Sequence, residues 1–438
     1  MELINYLIKR LEEINATDII VHYTKARTKH IKFYNSKIGI INEFDDESIN
    51  LFLAFKKRIL ITDLKEMSKK GIEKKIKKIK SIVKFIPEKQ DYFGIAEGNF
   101  KYRKQNGLYN KEVENSELSI RIAEESINSA LNQGAQRIAG VIESSTIEKR
   151  VISNKGVNAS QRETITYLSI RSLIKNASGH STSIARDFKS LKYNEKSAES
   201  AEIALQGLKK EKIRIGKYDV IYYPLSSSSI IESIGEASSI FNLETGTSCF
   251  KGMINKRVGN SIVTLVDNPL QNSIPGSTVF DDEGVPTQKN TIIENGIFKK
   301  FLHNTSTARK YKTRTTANAG LISPEPHLLS LKAGDSNLEE IIGTTKNGLI
   351  VTNTWYTRFQ NYATGDFSTI PRDTIMVVKN KSISGSTYGI RINDNLIRMM
   401  KNITLIGRTA LPISGWETSG VLVLPIFKVK DVLITRPK

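Results

Sequence analysis

The chain has a single cysteine, Cys249, which excludes an intrachain disulfide and any Cys-rich zinc module. One thiol fits a reducing compartment. Its five histidines, His22, His30, His180, His303 and His327, are scattered, with no H-x-x-x-H pair and none beside Cys249. Zinc takes three or four converging N, S or O ligands, and the spacing supplies no such cluster. No run approaches the roughly 18 apolar residues that a membrane helix needs; the greasiest stretch, 421–427, is broken by Pro425. The first residues lack the basic start, apolar core and small-residue cleavage site of a signal peptide. A soluble cytoplasmic protein is therefore expected. Neither a G-x-S-x-G elbow nor a P-loop is present.

Positive charge is abundant. Sixty-five Lys and Arg face 45 Asp and Glu over 438 residues, a formal charge of +20. The 39% hydrophobic and 25% charged content is that of a globular protein, which excludes wholesale disorder and collagen-like repeats. The length allows two or three domains and a large core. A charge of this size makes nucleic acid or an acidic surface the first partner to weigh. Nearly half of it lies in residues 56–90, where 13 basic residues meet only Asp63, Glu66, Glu73 and Glu88. Two readings compete: a helix that binds phosphates by releasing counterions, or a solvated helix face whose long stems cover apolar surface. Lysines outnumber arginines twelve to one here, no aromatics are interleaved for stacking, and no nucleic-acid motif appears. The solvated face is favoured, and nucleic acid is not the expected partner.

Periodicity predicts an α+β protein. Leu3, Leu7, Ile8 and Leu11 mark a helix over 2–14. Alternating segments at 18–24, 30–34, 37–42, 49–55 and 58–62 read as strands, with a polar turn at 43–46. A basic helix over 63–84 follows, and another over 112–133. Strands are expected at 137–144, 147–153 and 163–174, with a tight turn at 153–157 whose Gly156 supplies positive φ. A helix over 193–211 precedes a β-rich second half. The expected division is a layered helix and antiparallel-sheet domain over 1–200 and a β-rich domain over 201–438.

Few residues announce chemistry by spacing alone. His180, in a Ser-Gly-His-Ser-Thr string, reads as a turn or capping residue, and His303 is the best of a weak set. The acidic 281–284 string could bind a cation, but more simply makes a solvated turn.

The second half carries a more specific pattern. Ser248-Cys-Phe-Lys-Gly252 is followed by Asp281-Asp-Glu-Gly-Val-Pro-Thr287, Ile293-Glu-Asn-Gly-Ile297, Thr307-Ala-Arg-Lys310 and Thr316-Ala-Asn-Ala-Gly320. Asn347-Gly-Leu-Ile-Val-Thr352 and Thr364-Gly-Asp-Phe-Ser368 come next. In order and spacing these resemble the TldD/PmbA family, whose PmbA branch is also called TldE. The 153–156 turn and the Lys-rich helix extend the resemblance into the first half. The 353–361 and 368–372 segments are similar to archaeal members.

The resemblance implies a two-domain peptidase-family subunit of TldD/PmbA fold. TldD-type members carry an H-E-x-x-x-H zinc motif on a helix, with a cysteine ligand near the C-terminus, and cleave small peptides. The corresponding helix here reads Ile231-Glu-Ser-Ile-Gly-Glu236. Ile231 and Glu236 stand at the two histidine positions, Glu232 at the general-base glutamate, and the 414–419 segment has no cysteine. Positions five apart lie roughly 140° apart around a helix, whereas Glu232 and Glu236, four apart, share a face. Isoleucine has no lone pair, and two carboxylates suit oxygen-loving cations better than a hydrolytic zinc. Without a Lewis acid to activate water, Glu232 has no nucleophile to assist.

The expectation is therefore a non-catalytic PmbA/TldE-type subunit with no cofactor of its own. It would partner a zinc-bearing TldD-type protease and help admit unfolded peptides, with homodimerisation open. Cavity candidates are Glu232, Glu236, His303, Asn304, Arg309 and Asn318, with Arg309 able to meet a peptide carboxylate. Two alternatives stand: a peptidase with an unconventional metal site on Glu232, Glu236 and His303, or a nucleic-acid-binding protein using the Lys-rich helix. The family's association with DNA gyrase specifies no binding residue.

Overall fold

The computed structural model describes residues 2–436. Helix α1 (Glu2–Glu12) leads into three antiparallel strands, β1 (Asp18–Tyr34), β2 (Lys37–Phe55) and β3 (Arg58–Leu64). Helices α2 (Lys69–Ile82) and α3 (Ser116–Asn132) follow, separated by an irregular stretch. Strands β4 (Arg137–Ser153), β5 (Asn158–Ile174) and β6 (Ala177–Ala185) complete a six-stranded sheet in the order β3-β2-β1-β4-β5-β6. Every pairing in it is antiparallel.

Side chains alternate between sheet faces, and β1 shows what each face does. Ile19, Val21, Ile31 and Phe33, all odd-numbered, are buried beneath the helices, α1 and α2 at one end and α3 with the next helix at the other. Even-numbered Ile20 packs with Val151, Val157 and Phe280 against the second half of the chain. In α2, Ile72, Ile76 and Ile79 are buried at helical spacing, while Lys74, Lys77, Lys78 and Lys80 are exposed. Ser68 caps its first turn by accepting a hydrogen bond from the Gly71 amide.

Several sequence expectations need correction here. The segments 18–24 and 30–34 are one 17-residue strand, and 37–42 and 49–55 belong to one 19-residue strand. The predicted turn at 43–46 is extended backbone, because its acids pair across the strands: Arg27 Nε lies 2.9 Å from Asp45 and Lys29 Nζ 3.6 Å from Glu43. Likewise 137–144 and 147–153 are a single strand. The basic helix begins at Lys69, not at 63. His180 sits inside β6, where Nε2 lies 2.9 Å from Ser169 Oγ and Nδ1 3.0 Å from Asn353 Nδ2. The 153–157 turn forms as expected, with Gly156 at φ +89°.

Helix α4 (Tyr193–Gln206) joins the halves, so a cut at residue 200 would run through it. Its Ala201 packs into the core of the first sheet and its Ile203 against strands of the second. Strand β7 (Gly216–Tyr222) and helix α5 (Pro224–Ala237) follow. After α6 (Ile240–Glu244) come β8 (Leu265–Asp267), β9 (Asn290–Glu294), β10 (Ile297–Phe298), α7 (Thr305–Lys310), β11 (Leu329–Leu331) and α8 (Leu338–Gly343). The chain ends with β12 (Asn347–Asn361), β13 (Asp366–Lys379), β14 (Ser382–Thr387), β15 (Arg391–Asn395), α9 (Leu396–Lys401), β16 (Ile403–Ile413) and β17 (Leu422–Thr435). All these strands join one mixed sheet, and β7 pairs with both β12 and β17, closing a ring β7-β12-β13-β15-β17. One face of this sheet packs around α5, the other beneath α4 and α8.

Candidate functional site

Helix α5 starts at Pro224, whose missing N–H costs nothing in the first turn. Ser226, Ser227 and Ser228 are buried, and each hydroxyl donates to a carbonyl three or four residues back, so these polar groups are satisfied within the helix. The helix can then lie close against its sheet. Ile230, Ile231 and Ile234 enter the core; Ile231 is 2% exposed. Glu232 and Glu236 face the opposite way, into a cleft of about 590 Å³.

That cleft lies between the two halves of the chain. The first sheet contributes His22 from β1, Lys149 from β4 and Glu163 from β5. Register puts these strands' cleft-facing residues together: His22 pairs with Val151, and Ile147, two residues from Lys149, pairs with Glu163. The facing wall carries Glu232, Glu236, Asp282, Glu325 and Ser419.

The electrostatics of the two walls differ. On the first, Glu163 is buried between Lys149 Nζ at 2.7 Å and Arg186 Nη1 at 2.7 Å. The Glu163 carboxylate pulls the Lys149 ammonium pKa upward, so this ion triad stays charged with one net positive charge. Arg186 spends its other donors on the carbonyls of Thr164, Asn272 and Ser277, tying β5 to the second half. On the facing wall the carboxylates repel one another. Burial, and then Glu232 and Glu325, push the Glu236 carboxyl up to about 7. Burial also raises Glu325, with Asp282 adding to it. Glu232 is raised by burial too, against the opposing pull of three donors on its Oε1: Ser419 N at 2.9 Å, Ser419 Oγ at 2.8 Å and Gly420 N at 3.3 Å. His22 Nδ1 sits 3.8 Å from Asp282, while its buried Nε2 has no partner among the described residues; burial lowers its pKa.

The remaining sequence candidates lie outside this cleft. His303 packs edge-on to Tyr311 with ring centroids 5.6 Å apart, and burial lowers its pKa to about 4. Asn304 caps α7 through a reciprocal bond with Thr307 and borders a smaller neighbouring pocket that shares His22 and Asp282 with the cleft. Arg309 donates to the Phe93 carbonyl at 2.8 Å and lies 3.7 Å from Glu97. Asn318 is fully buried, bonded to Asp267 at 2.7 Å and to the Glu325 carbonyl at 2.9 Å. The structure thus brings Glu232 and Glu236 together and keeps His303, Asn304, Arg309 and Asn318 apart from them. The acidic 281–284 string is not a solvated turn: Asp281 is 1% exposed and accepts from the amides of Glu283, Val285 and Ala319. Among the described residues no three His, Cys, Asp or Glu side chains converge in metal-binding geometry.

Residues that spacing could not find are His22, Lys149, Glu163, Arg186 and Glu325. Only Glu325 left a signal, an acid held between Pro324 and Pro326.

A profile of the PmbA/TldA metallopeptidase C-terminal domain matches residues 215–436, and the chain belongs to the PmbA/TldD family. It is 36% identical over 159 residues to a metalloprotease of Methanocaldococcus jannaschii, covering 35% of each chain. It is 30% identical over 218 residues to a metalloprotease TldD homologue of Buchnera aphidicola, covering 48% of this chain and 44% of that one. The chain thus spans under half the length of these curated relatives. TldE from Thermococcus kodakarensis shares the fold over 99% of this chain and 100% of its own, with a TM-score of 0.85 at 19% identity.

The zinc that the family implies does not fit the residues present. Ile231 is in the core with no donor atom, and among the described residues no three His, Cys, Asp or Glu side chains gather around Glu236 in metal-binding geometry.

Proposed function

We propose that this chain is a non-catalytic, TldE/PmbA-type subunit that pairs with a zinc-bearing TldD-type protease and helps that complex degrade small or unfolded peptides. The observation that carries this reading is the state of helix α5. The helix turns Ile231 into the core, and the loop that would supply a cysteine in a zinc-bearing member binds Glu232 through Ser419 and Gly420. Supporting this reading, the cleft of about 590 Å³ carries an ammonium at Lys149 and the acids Glu236 and Glu325, groups suited to the charged ends of a short peptide. Co-expression with a TldD-type homologue from the same genome should yield a stable complex whose peptidase activity requires the homologue's zinc. Stoichiometric zinc and peptidase activity in the isolated chain would overturn the proposal.

A further inference from the structure

The chain has two tryptophans, Trp355 and Trp416, and both lie in one surface cluster. Their ring centroids are 5.4 Å apart, and Tyr356 stands 6.4 Å from Trp355 and 5.7 Å from Trp416, all edge-to-face. Trp416 is 56% exposed and Tyr356 42%. Such exposure of large aromatics is not forced by the fold, because β12 could have alternated regularly here. Instead its register with β13 shifts between Trp355 and Arg358, and Tyr356 adopts φ +59°. A left-handed backbone at an aromatic residue costs about 1 kcal/mol or more, and a bulge commonly re-aims a side chain beside a functional surface.

Three arginines surround the rings. Arg171 lies 5.2 Å from the Trp355 centroid but is paired with Asp373, and Arg358 lies 5.7 Å from Tyr356 and is paired with Glu417. Arg372 lies over both Trp355, at 5.0 Å, and Tyr356, at 5.7 Å. Its guanidinium is exposed and meets no carboxylate among the described residues. The buried Trp355 Nε1 has no hydrogen-bond partner among the described residues. The same loop that carries Trp416 is pinned to β12 by Glu417, which accepts from the Thr357 amide at 3.2 Å, and two residues further on it holds Glu232 through Ser419. The loop that carries Trp416 thus also lines the cleft, at Ser419 and Gly420.

We propose that Trp355, Tyr356, Trp416 and Arg372 form the docking surface for an acidic face of the partner protein subunit. Trp, Tyr and Arg are the side chains that dominate protein interfaces, where they anchor in desolvated pockets. The unpaired cation selects an acidic partner. A second copy of this chain fits less well, because a two-fold contact through the patch would bring like arginines together on chains of +20 each. The inference rests on the two-subunit reading above.

The test uses the full-length chain and a TldD-type homologue encoded in the same genome. Because both tryptophans are in the patch, their intrinsic emission reports on it alone once a tryptophan-free variant of the homologue is used. Titration should shift the emission to the blue and lower acrylamide quenching, and Arg372→Glu and Trp416→Ala should each weaken binding at least tenfold while the circular dichroism of the free chain is unchanged. Trp416→Phe should retain binding, with Trp355 as sole reporter. A complex that forms with unchanged emission and undiminished affinity in both weakening variants overturns the docking surface and leaves the two-subunit reading standing. If the wild type forms no complex by sedimentation, both fall together. An emission shift that follows the concentration of this chain alone assigns the patch to self-association and also overturns the proposal.

Discussion

Glu236 is the most perturbed member of the carboxylate wall. Its pKa in the folded chain, about 7, lies above the ordinary 4.5, so the folded state holds an extra proton between those values. Stability must fall as pH rises through that window. Glu236→Gln removes the penalty: unfolding curves at pH 4 should be unchanged, while at pH 8 the variant should be more stable by up to about 3 kcal/mol. Arg186 has the opposite character. It is 3% exposed at the side chain and completes the neutralisation of an equally buried Glu163. Arg186→Ala leaves a buried carboxylate with one partner and should cost about 3–5 kcal/mol in denaturant unfolding. Of these groups only the two glutamates of α5 were singled out in the sequence, from their motif positions, and their four-residue spacing places them on one helix face. His22, Lys149 and Glu163 meet through strand register, and Arg186 through its approach to the 272–277 segment. Neither relation has a local signature. Asn318 and Arg309 were misleading for a related reason: motif position marks them, but their partners, Asp267 and the Phe93 carbonyl, are distant in sequence.

At the scale of elements, helices were read well because their apolar spacing is intrinsic, while strand ends were not. Breaks were expected wherever polar residues interrupted an apolar run, yet β1 continues through 25–29 and β2 through 43–47 on cross-strand ion pairs. The joint between the halves depends on a close approach that only glycine allows. Gly179 of β6 lies so near α4 that a Cβ there would collide with the Ser200 carbonyl. Gly179→Ala should destabilise the protein by about 1–3 kcal/mol, the usual range for an overpacked contact, and loosen the α4 joint, visible as faster amide exchange in 193–206. The lysine face of α2 makes the contrasting case. Its apolar stripe carries the packing, so reversing Lys74, Lys77 and Lys78 to Glu should change stability by less than about 0.5 kcal/mol. The same variant should assemble with the partner as the wild type does. A gel shift abolished by it would instead favour nucleic-acid binding.

For the whole molecule, the organising feature is the cleft between a helix-backed antiparallel sheet and a mixed sheet closed upon itself. Length and alternation foretold two β-containing halves, and the motif order foretold the family; which faces meet was hidden, because that depends on both sheets being complete. Part of the net charge is the exposed lysine face of α2, remote from Glu232 in sequence and on the side of the first sheet that carries its helices rather than the cleft. What defines the molecule is a cleft whose central helix turns Ile231 into the core and presents Glu236 beside a Glu232 held by Ser419 and Gly420. The most direct measurement is peptidase activity with parallel metal analysis on the isolated chain, on a TldD-type homologue from the same genome, and on the two together. The expected result is no stoichiometric zinc and no hydrolysis by the isolated chain, with zinc-dependent cleavage in the complex that persists in Glu232→Gln of this chain. Zinc-dependent hydrolysis by the isolated chain, lost in Glu232→Gln, would contradict it.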